Sequence, residues 1–261
     1  MQRAAIITGA SGGLGAAFAR IFAREGYNLL LVARSELGLR EKAAELAETY
    51  GIEARWIALD LAQPDAPQRL LAFTRAQKIE VEALVNNAGI GDISPFADAS
   101  REKTLHMVDL NVRCLTELCR GVLPDMLKRG SGAILNVASV AAFMPGPLMA
   151  SYFATKAYVL SLSEALFAEL SGTGVSCTAL CPGPIRTGFW KVAGAEASPL
   201  LDALPCKTPA HIAEEGFRGL SRGKAIVVPG LTNKIVAFGV RFLPRAVVRR
   251  LAFRTMGTQK A

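Results

Sequence analysis

The chain has 261 residues, 51% of them hydrophobic and 20% charged, with a formal net charge of +8. It is too apolar to be a disordered chain, and its length suits one α/β sheet with helices on both faces. The charge excess is local: from Gly216 onward there are ten Lys/Arg and no Asp or Glu, against 20 basic and 22 acidic groups before it. The basic balance therefore describes a tail, not a nucleic-acid-binding body.

Apolar runs alternate with amphipathic stretches from the first residues. Strands are predicted at Ala4–Thr8, Asn28–Ala33, Ala54–Leu59, Ala83–Asn86, Ala133–Val137, Val175–Leu180 and Ala225–Val228. Their apolar residues are continuous rather than alternating, as expected of strands covered on both faces. Helices are predicted at Leu14–Glu25, Leu37–Thr49, Ala66–Gln77, Arg101–Lys128, Tyr152–Leu170 and Pro209–Ser221. Strict βα alternation implies right-handed crossovers, hence a single-domain, doubly wound parallel sheet of Rossmann type with about seven strands. This domain is read as residues 1–230. The segment Arg186–Lys207 interrupts the rhythm after a strand end, where substrate lids tend to lie, and carries Phe189, Trp190, Val192, Leu200, Leu201 and Leu204. Residues 231–261 form a basic C-terminal extension.

The first βα turn reads Thr8-Gly9-Ala10-Ser11-Gly12-Gly13-Leu14-Gly15. Glycines there permit a tight turn and close backbone approach, so a pyrophosphate can sit on the helix N–H groups of a cradle made by Gly9, Ser11, Gly13, Leu14 and Gly15. At the end of the second strand a carboxylate would select a free ribose 2′-hydroxyl. The chain has Arg34 and Ser35 instead, a fork suited to a 2′-phosphate, so NADP(H) is expected, with NAD(H) the alternative. After the third strand Asp60, beside Leu61, is placed to accept from an adenine amino group. It could equally cap the turn before Gln63-Pro64.

Farther along, Asn86-Asn87-Ala88-Gly89 ends the fourth strand, Ser139 follows the fifth, and Pro182-Gly183-Pro184-Ile185-Arg186-Thr187 follows the sixth. All lie at the carboxyl edge of the sheet, where ligands bind in open α/β folds. Tyr152 and Lys156 stand four residues apart, on one face of a helix. A phenol of pKa ~10 is a poor base at neutral pH, and a neighbouring ammonium favours its phenolate. Such a pair can give or take the proton of a carbonyl/alcohol couple, with Ser139 donating to the developing oxyanion.

Over residues 3–230 the sequence resembles the short-chain dehydrogenase/reductase family. The resemblance rests on the glycine loop Thr8–Gly15, Asn86–Gly89, Ser139, Tyr152–Lys156, Pro182–Thr187 and Asn111 in Leu110-Asn111-Val112. It implies that Tyr152 is the acid/base and that Lys156 lowers its pKa and holds the nicotinamide ribose. Ser139 would polarise the substrate oxygen, and Asn111 would hold a water that relays protons from Lys156. Asn87, Ala88, Gly89, Pro182, Ile185 and Thr187 would line the coenzyme site. Many NADP-preferring members carry a basic residue where this chain has Gly12, so the coenzyme reading rests on Arg34. The other reading of these motifs is a non-catalytic dinucleotide-binding regulator, which would need the cradle but not the proton machinery.

The remaining expectations concern context. Five cysteines (Cys114, Cys119, Cys177, Cys181, Cys206) without a Cys-x-x-Cys clip read as reduced thiols, and two histidines are too few for an ordinary zinc centre, so no metal is expected. Ala4–Thr8 is too short for a leader's apolar core and no 18-residue apolar run exists, which together point to the cytoplasm. The lid composition suggests an apolar carbonyl or alcohol substrate, and the mainly aliphatic tail, without base-stacking composition, argues against nucleic acid. The resemblance implies a homodimer or homotetramer in which the helices 101–128 (Leu105, Val108, Val112, Leu115, Leu118) and 152–170 (Val159, Leu162, Leu166) pair across a two-fold axis. In the tail, Ile235, Phe238 and Phe242, and after Pro244 the residues Val247, Val248 and Leu251, mark an apolar helical face among arginines. Such a face suits either peripheral contact with an anionic membrane or cover for the pocket or a subunit neighbour.

Overall fold

A computed structural model describes residues 1–185, Phe189, Ala193 and 207–257. Seven strands, β1 (Ala4–Thr8), β2 (Asn28–Ala33), β3 (Ala54–Ala58), β4 (Val81–Asn86), β5 (Gly132–Val137), β6 (Val175–Leu180) and β7 (Ile226–Val227), form one sheet. Their order is β3-β2-β1-β4-β5-β6-β7, and every pairing is parallel. The order reverses at β1, so the crevice between the ends of β1 and β4 is the topological switch point where a ligand can enter.

Alternate residues of the strands feed two cores. On one face Ile6, Leu30, Leu84, Ile134 and Cys177 pack under α3 (Ala66–Ala76), α5 (Leu115–Arg129) and α6 (Ala150–Glu169). On the other, Ile7, Leu29, Leu31, Val85 and Leu135 meet α1 (Gly13–Arg24), α2 (Glu36–Tyr50) and α7 (Pro209–Ser221). Phe18 and Phe22 of α1 are fully buried there. Burying such a ring contributes roughly 1.5–3 kcal/mol, so α1 is clamped hard and the loop before it is held by its C-terminal neighbour.

The helix ends follow the local sequence. Ser35, Ser100 and Thr208 accept from the backbone N–H three residues on and so cap α2, α4 (Arg101–Val108) and α7. Gly51 and Gly130, at φ 66° and 69°, end α2 and α5 in the left-handed conformation that a Cβ would strain.

One predicted element is corrected. The helix expected over Arg101–Lys128 is α4, then a π-helical turn over Asp109–Cys114, then α5. The turn holds one residue more than an α-turn, and Asn111 sits in it. Its side chain accepts from Ile90 N (3.1 Å) and donates to Ile90 O (2.9 Å), so the strand-end loop after β4 fastens the widened turn.

The tail is two further helices, α8 (Leu231–Gly239) and α9 (Arg245–Gly257), with Pro244 between them. Among the described residues no helix is long and apolar enough to cross a membrane.

Candidate active site

At the switch point Thr8 organises the loop from both sides. Its hydroxyl donates to Val85 O (3.2 Å) and accepts from Asn87 N and Ala88 N, each at 2.9 Å. Asn87 returns the contact, its side-chain amide donating to Thr8 O at 2.8 Å. Gly9 and Gly13 take φ of +68° and +54°. A Cβ on Gly15 would stand 2.1 Å from Gly9 O, so that position admits no side chain. Gly12, by contrast, has nothing within 4 Å of its missing Cβ, and as N-cap of α1 it offers no side chain to the first helical N–H groups. Exposed Ser11, Gly12 and Gly13 thus frame an anion-ready helix start that fits a pyrophosphate. Leu14, buried at the same start, anchors it to the core.

Two groups flank the expected adenosine end. Arg34 is exposed beyond β2 and makes no ion pair among the described residues. Ser35 spends its lone pairs on Gly38 N (3.3 Å), which leaves its O–H able to donate. Asp60 does cap its own turn, accepting from Ala62 N at 3.1 Å, with Leu61 buried beside it. Its second oxygen faces Gln63 Nε2 at 3.5 Å. Arg113 of the π-turn donates to Ala62 O (3.0 Å) and Pro64 O (2.8 Å) while paired with Asp109 (2.9 Å), and so pins this loop. Sequence reading missed Arg113, since one arginine in a helix carries no signal.

Ser139, Tyr152, Lys156 and Asn111 come together from the end of β5, from α6 and from the π-turn. Ser139 Oγ accepts from Ala141 N (3.1 Å) and faces Pro182 O at 3.5 Å, so the segments after β5 and β6 hold it jointly. It also stands near enough to the Tyr152 phenol to ease its ionisation. Burial pushes the Tyr152 phenol up to about 12, and the Ser139 contact acts in the opposite sense. Lys156, almost fully buried, donates to Val137 O at 2.8 Å and lies 5.8 Å from the Tyr152 ring centroid. Burial brings its ammonium down to about 8. A Cβ on Gly89 would meet Asn111 Oδ1 at 3.2 Å and Lys156 Nζ at 3.4 Å, so these two groups share the space that glycine leaves. Asn111 also donates to Thr155 Oγ1 at 3.1 Å, a partner the sequence did not announce.

The depressed lysine has a consequence for stability. An unfolded lysine titrates near ~10.4, so between about 8 and that value the unfolded chain binds more protons than the native one. Stability from this site therefore rises with pH across the window, and the full cost of burying the ammonium is felt below it. Relative to the native chain, Lys156→Met should gain most in thermal melts near neutrality and lose that advantage as pH climbs through the window. A melting-temperature difference that stays flat with pH would refute this.

An apolar wall closes the substrate side. The Phe189 ring lies 5.4 Å from that of Tyr152, Phe153 packs edge-on at 6.1 Å, and Met149 is buried nearby. Ala193 N–H donates back to Phe189 O (2.9 Å) and Ala193 O accepts from Ile93 N (3.1 Å). Pro182 is buried, and Ile185 bridges to Lys207. Arg186, Thr187, Trp190, Val192, Leu200, Leu201, Leu204 and Cys206 lie outside the described residues. The other four cysteines are free and buried. No group of three or more His, Cys, Asp or Glu among the described residues could hold a metal ion.

Comparison with known proteins agrees with this geometry. A family model described as short chain dehydrogenase matches residues 3–197. A short chain dehydrogenase of Pseudocercospora fijiensis is 36% identical over 187 residues, 71% of this chain and 60% of that protein. A very-long-chain 3-oxoacyl-CoA reductase of Anas platyrhynchos is 35% identical over 193 residues, 72% of this chain and 61% of that protein. The aligned part thus spans about 60% of the length of these two relatives. Among solved structures, a short-chain dehydrogenase from Sphingobium yanoikuyae in complex with NADPH superposes with a TM-score of 0.82 at 30% identity, covering 99% of this chain and 96% of that one. The chain belongs to the short-chain dehydrogenase/reductase family, whose fold it shares.

Proposed function

We propose that the protein is an NADP(H)-dependent oxidoreductase that interconverts a carbonyl and an alcohol on a lipophilic substrate. The observation that carries this reading is the meeting of Tyr152, Ser139, Lys156 and Asn111 at the carboxyl edge of the sheet, beside a glycine loop that fits a pyrophosphate. Gly9, Ser11, Gly13, Leu14, Gly15, Asp60, Leu61, Asn87, Ala88, Gly89, Pro182, Ile185 and Thr187 would hold the coenzyme, which supplies or accepts the hydride when bound. Tyr152 then donates its phenolic proton to the substrate oxygen in reduction, or accepts the alcohol proton in oxidation. Ser139 orients that oxygen. Lys156 and Asn111 return the proton from solvent through the space beside Gly89. Phe189, Phe153 and Met149 exclude water and favour an apolar substrate. A screen of ketones, aldehydes and acyl thioesters, following coenzyme oxidation with NADPH and NADH separately, tests the proposal. No turnover of any class with either coenzyme would overturn it.

Coenzyme choice rests on Arg34. Its exposed guanidinium at the end of β2, unpaired among the described residues, can fork a 2′-phosphate, with the Ser35 O–H beside it. The native enzyme should therefore prefer NADPH in kcat/KM by ~10²-fold, the worth of a charge-assisted pair. Arg34→Asp should reverse the order. Equal kcat/KM values for the two coenzymes in the native enzyme would sink the assignment.

The proposal includes a cytoplasmic homodimer or homotetramer. Support comes from Leu105, Val108, Tyr158 and Phe167, large apolar residues of α4 and α6 that are 36–45% exposed. Leu115, Leu118 and Val159, expected on the same faces, are buried against the sheet and leave that role.

A further inference from the structure

The tail helices are docked in an inverted manner. α8 and α9 bury their small residues against the body: Ala237, Val248 and Ala252 are 5–8% exposed. Their large ones are left exposed. Leu231, Ile235, Phe238 and Phe242 are 61–74% exposed, and Phe253 is 61% exposed. The first four recur at i, i+4, i+7 and i+11, one stripe along and just past α8, and the Phe238 and Phe242 rings touch at 5.0 Å between centroids. Folding gains little from side chains held this way, and contiguous exposed apolar surface of this kind marks a contact with something else.

Charge says what that is. Arg241, Arg245, Arg249, Arg250 and Arg254 are exposed among these residues, and none forms an ion pair among the described residues. A second copy of the same surface would set arginines against arginines across a two-fold axis. Nucleic acid would use the arginines but leave the phenylalanines and leucines in water. An anionic bilayer satisfies both sets, the headgroups taking the guanidinium groups and the interface taking the apolar stripe.

We propose that α8 and α9 form a plate that docks the protein peripherally on an anionic lipid surface. The plate is continuous with the catalytic end of the molecule. A groove of about 1020 Å³ runs between α9 and the segment from Ala142 to Pro147, lined also by Phe153, Phe253, Arg249 and Arg250. Phe153 is the ring that packs against Tyr152. Asn233 of α8 meanwhile fills the space above Gly183, in the segment that follows β6. Docking would thus set the apolar side of the active site against the lipid phase. The inference stands apart from the redox reading, because its test involves no turnover.

The test is co-sedimentation of the full chain with vesicles of phosphatidylcholine alone or mixed with phosphatidylserine. The chain should pellet with the mixed vesicles at low salt, stay soluble with the neutral ones, and release as salt screens the arginines. Phe238→Ser with Phe242→Ser should cut binding at least ~10-fold, as removing two buried rings does, and Arg249→Gln with Arg250→Gln should weaken it by a comparable amount. All four positions are exposed, so folding should survive, which circular dichroism checks. A full-length chain that ignores anionic vesicles at low salt would overturn the proposal. So would a phenylalanine pair whose replacement halves the sedimenting mass without touching vesicle binding, or a gel shift with DNA in the absence of vesicle binding.

Discussion

Tyr152→Phe should lower kcat by at least ~10²–10⁴-fold, the contribution of a positioned general acid, while leaving coenzyme affinity nearly unchanged. The reason lies in how the phenol is held. Nothing in the described site can replace its proton: Ser139 accepts from Ala141 N and leans on Pro182 O, and the Lys156 ammonium is tied to Val137 O at 2.8 Å. No hydrogen bond joins Lys156 to the phenol, and burial alone would keep that phenol protonated up to about 12. The nearby Ser139 hydroxyl eases proton release from that phenol, and Ser139→Ala should slow turnover too, though less. Steady-state kinetics with coenzyme fluorescence titration separate the two effects. A Phe variant that keeps a tenth or more of the native kcat would take Tyr152 out of the chemistry.

Gly15→Ala should cost nearly as much by another route. The added carbon would stand 2.1 Å from Gly9 O and 2.7 Å from Asn87 Nδ2. The first is backbone, and the second is committed to Thr8 O, so neither can step aside cheaply. Overpacking of this kind costs about 1–3 kcal/mol and should lower Tm by several degrees, ~2–4 °C per kcal/mol for a chain near this size. Displacing Gly9 also opens the cradle, so coenzyme affinity should fall at least ~10-fold, the equivalent of about 1.4 kcal/mol. Gly12→Ala is the control: nothing lies within 4 Å of its Cβ position, and its φ of −171° is open to any residue, so Tm should hold. Calorimetry and coenzyme titration read both. A Gly15→Ala chain that melts and binds like the native one would mean that the loop relaxes in a way the packing around Thr8 does not suggest.

The strands were readable because each is a run of apolar residues covered on both faces, and a run of that kind has one reading at this length. Ala4–Thr8, Asn28–Ala33 and Val175–Leu180 begin and end where the apolar pattern does. The glycine loop and the Tyr152/Lys156 pair were readable because their spacing is itself the chemistry. What stayed hidden depends on side chains reaching across the fold. Thr8 looks like the last residue of a strand, yet it bonds Val85, Asn87 and Ala88, some eighty residues away. Leu115 and Leu118 share a helical stripe with exposed Leu105 and Val108 only if the helix is regular, and it is not. The tail's periodicity was legible, but not its polarity: nothing in the spacing of Phe238 and Ala237 says which one faces the body.

The π-turn at Asp109–Cys114 binds two properties that would otherwise evolve apart. A single additional residue is accommodated there, and each residue turns an α-helix by about 100°. Deleting one position to restore a regular helix would swing Leu115, Leu118, Val122 and Met126 off the sheet face they now bury, and would also withdraw Asn111 from Ile90. Neither half can be repaired alone, since moving α5 back costs the asparagine and keeping the asparagine costs the core. In such a segment point substitutions are open to drift while insertions and deletions are not. The length of the chain between Ser100 and Gly130 is thereby a more durable character than most of the letters in it.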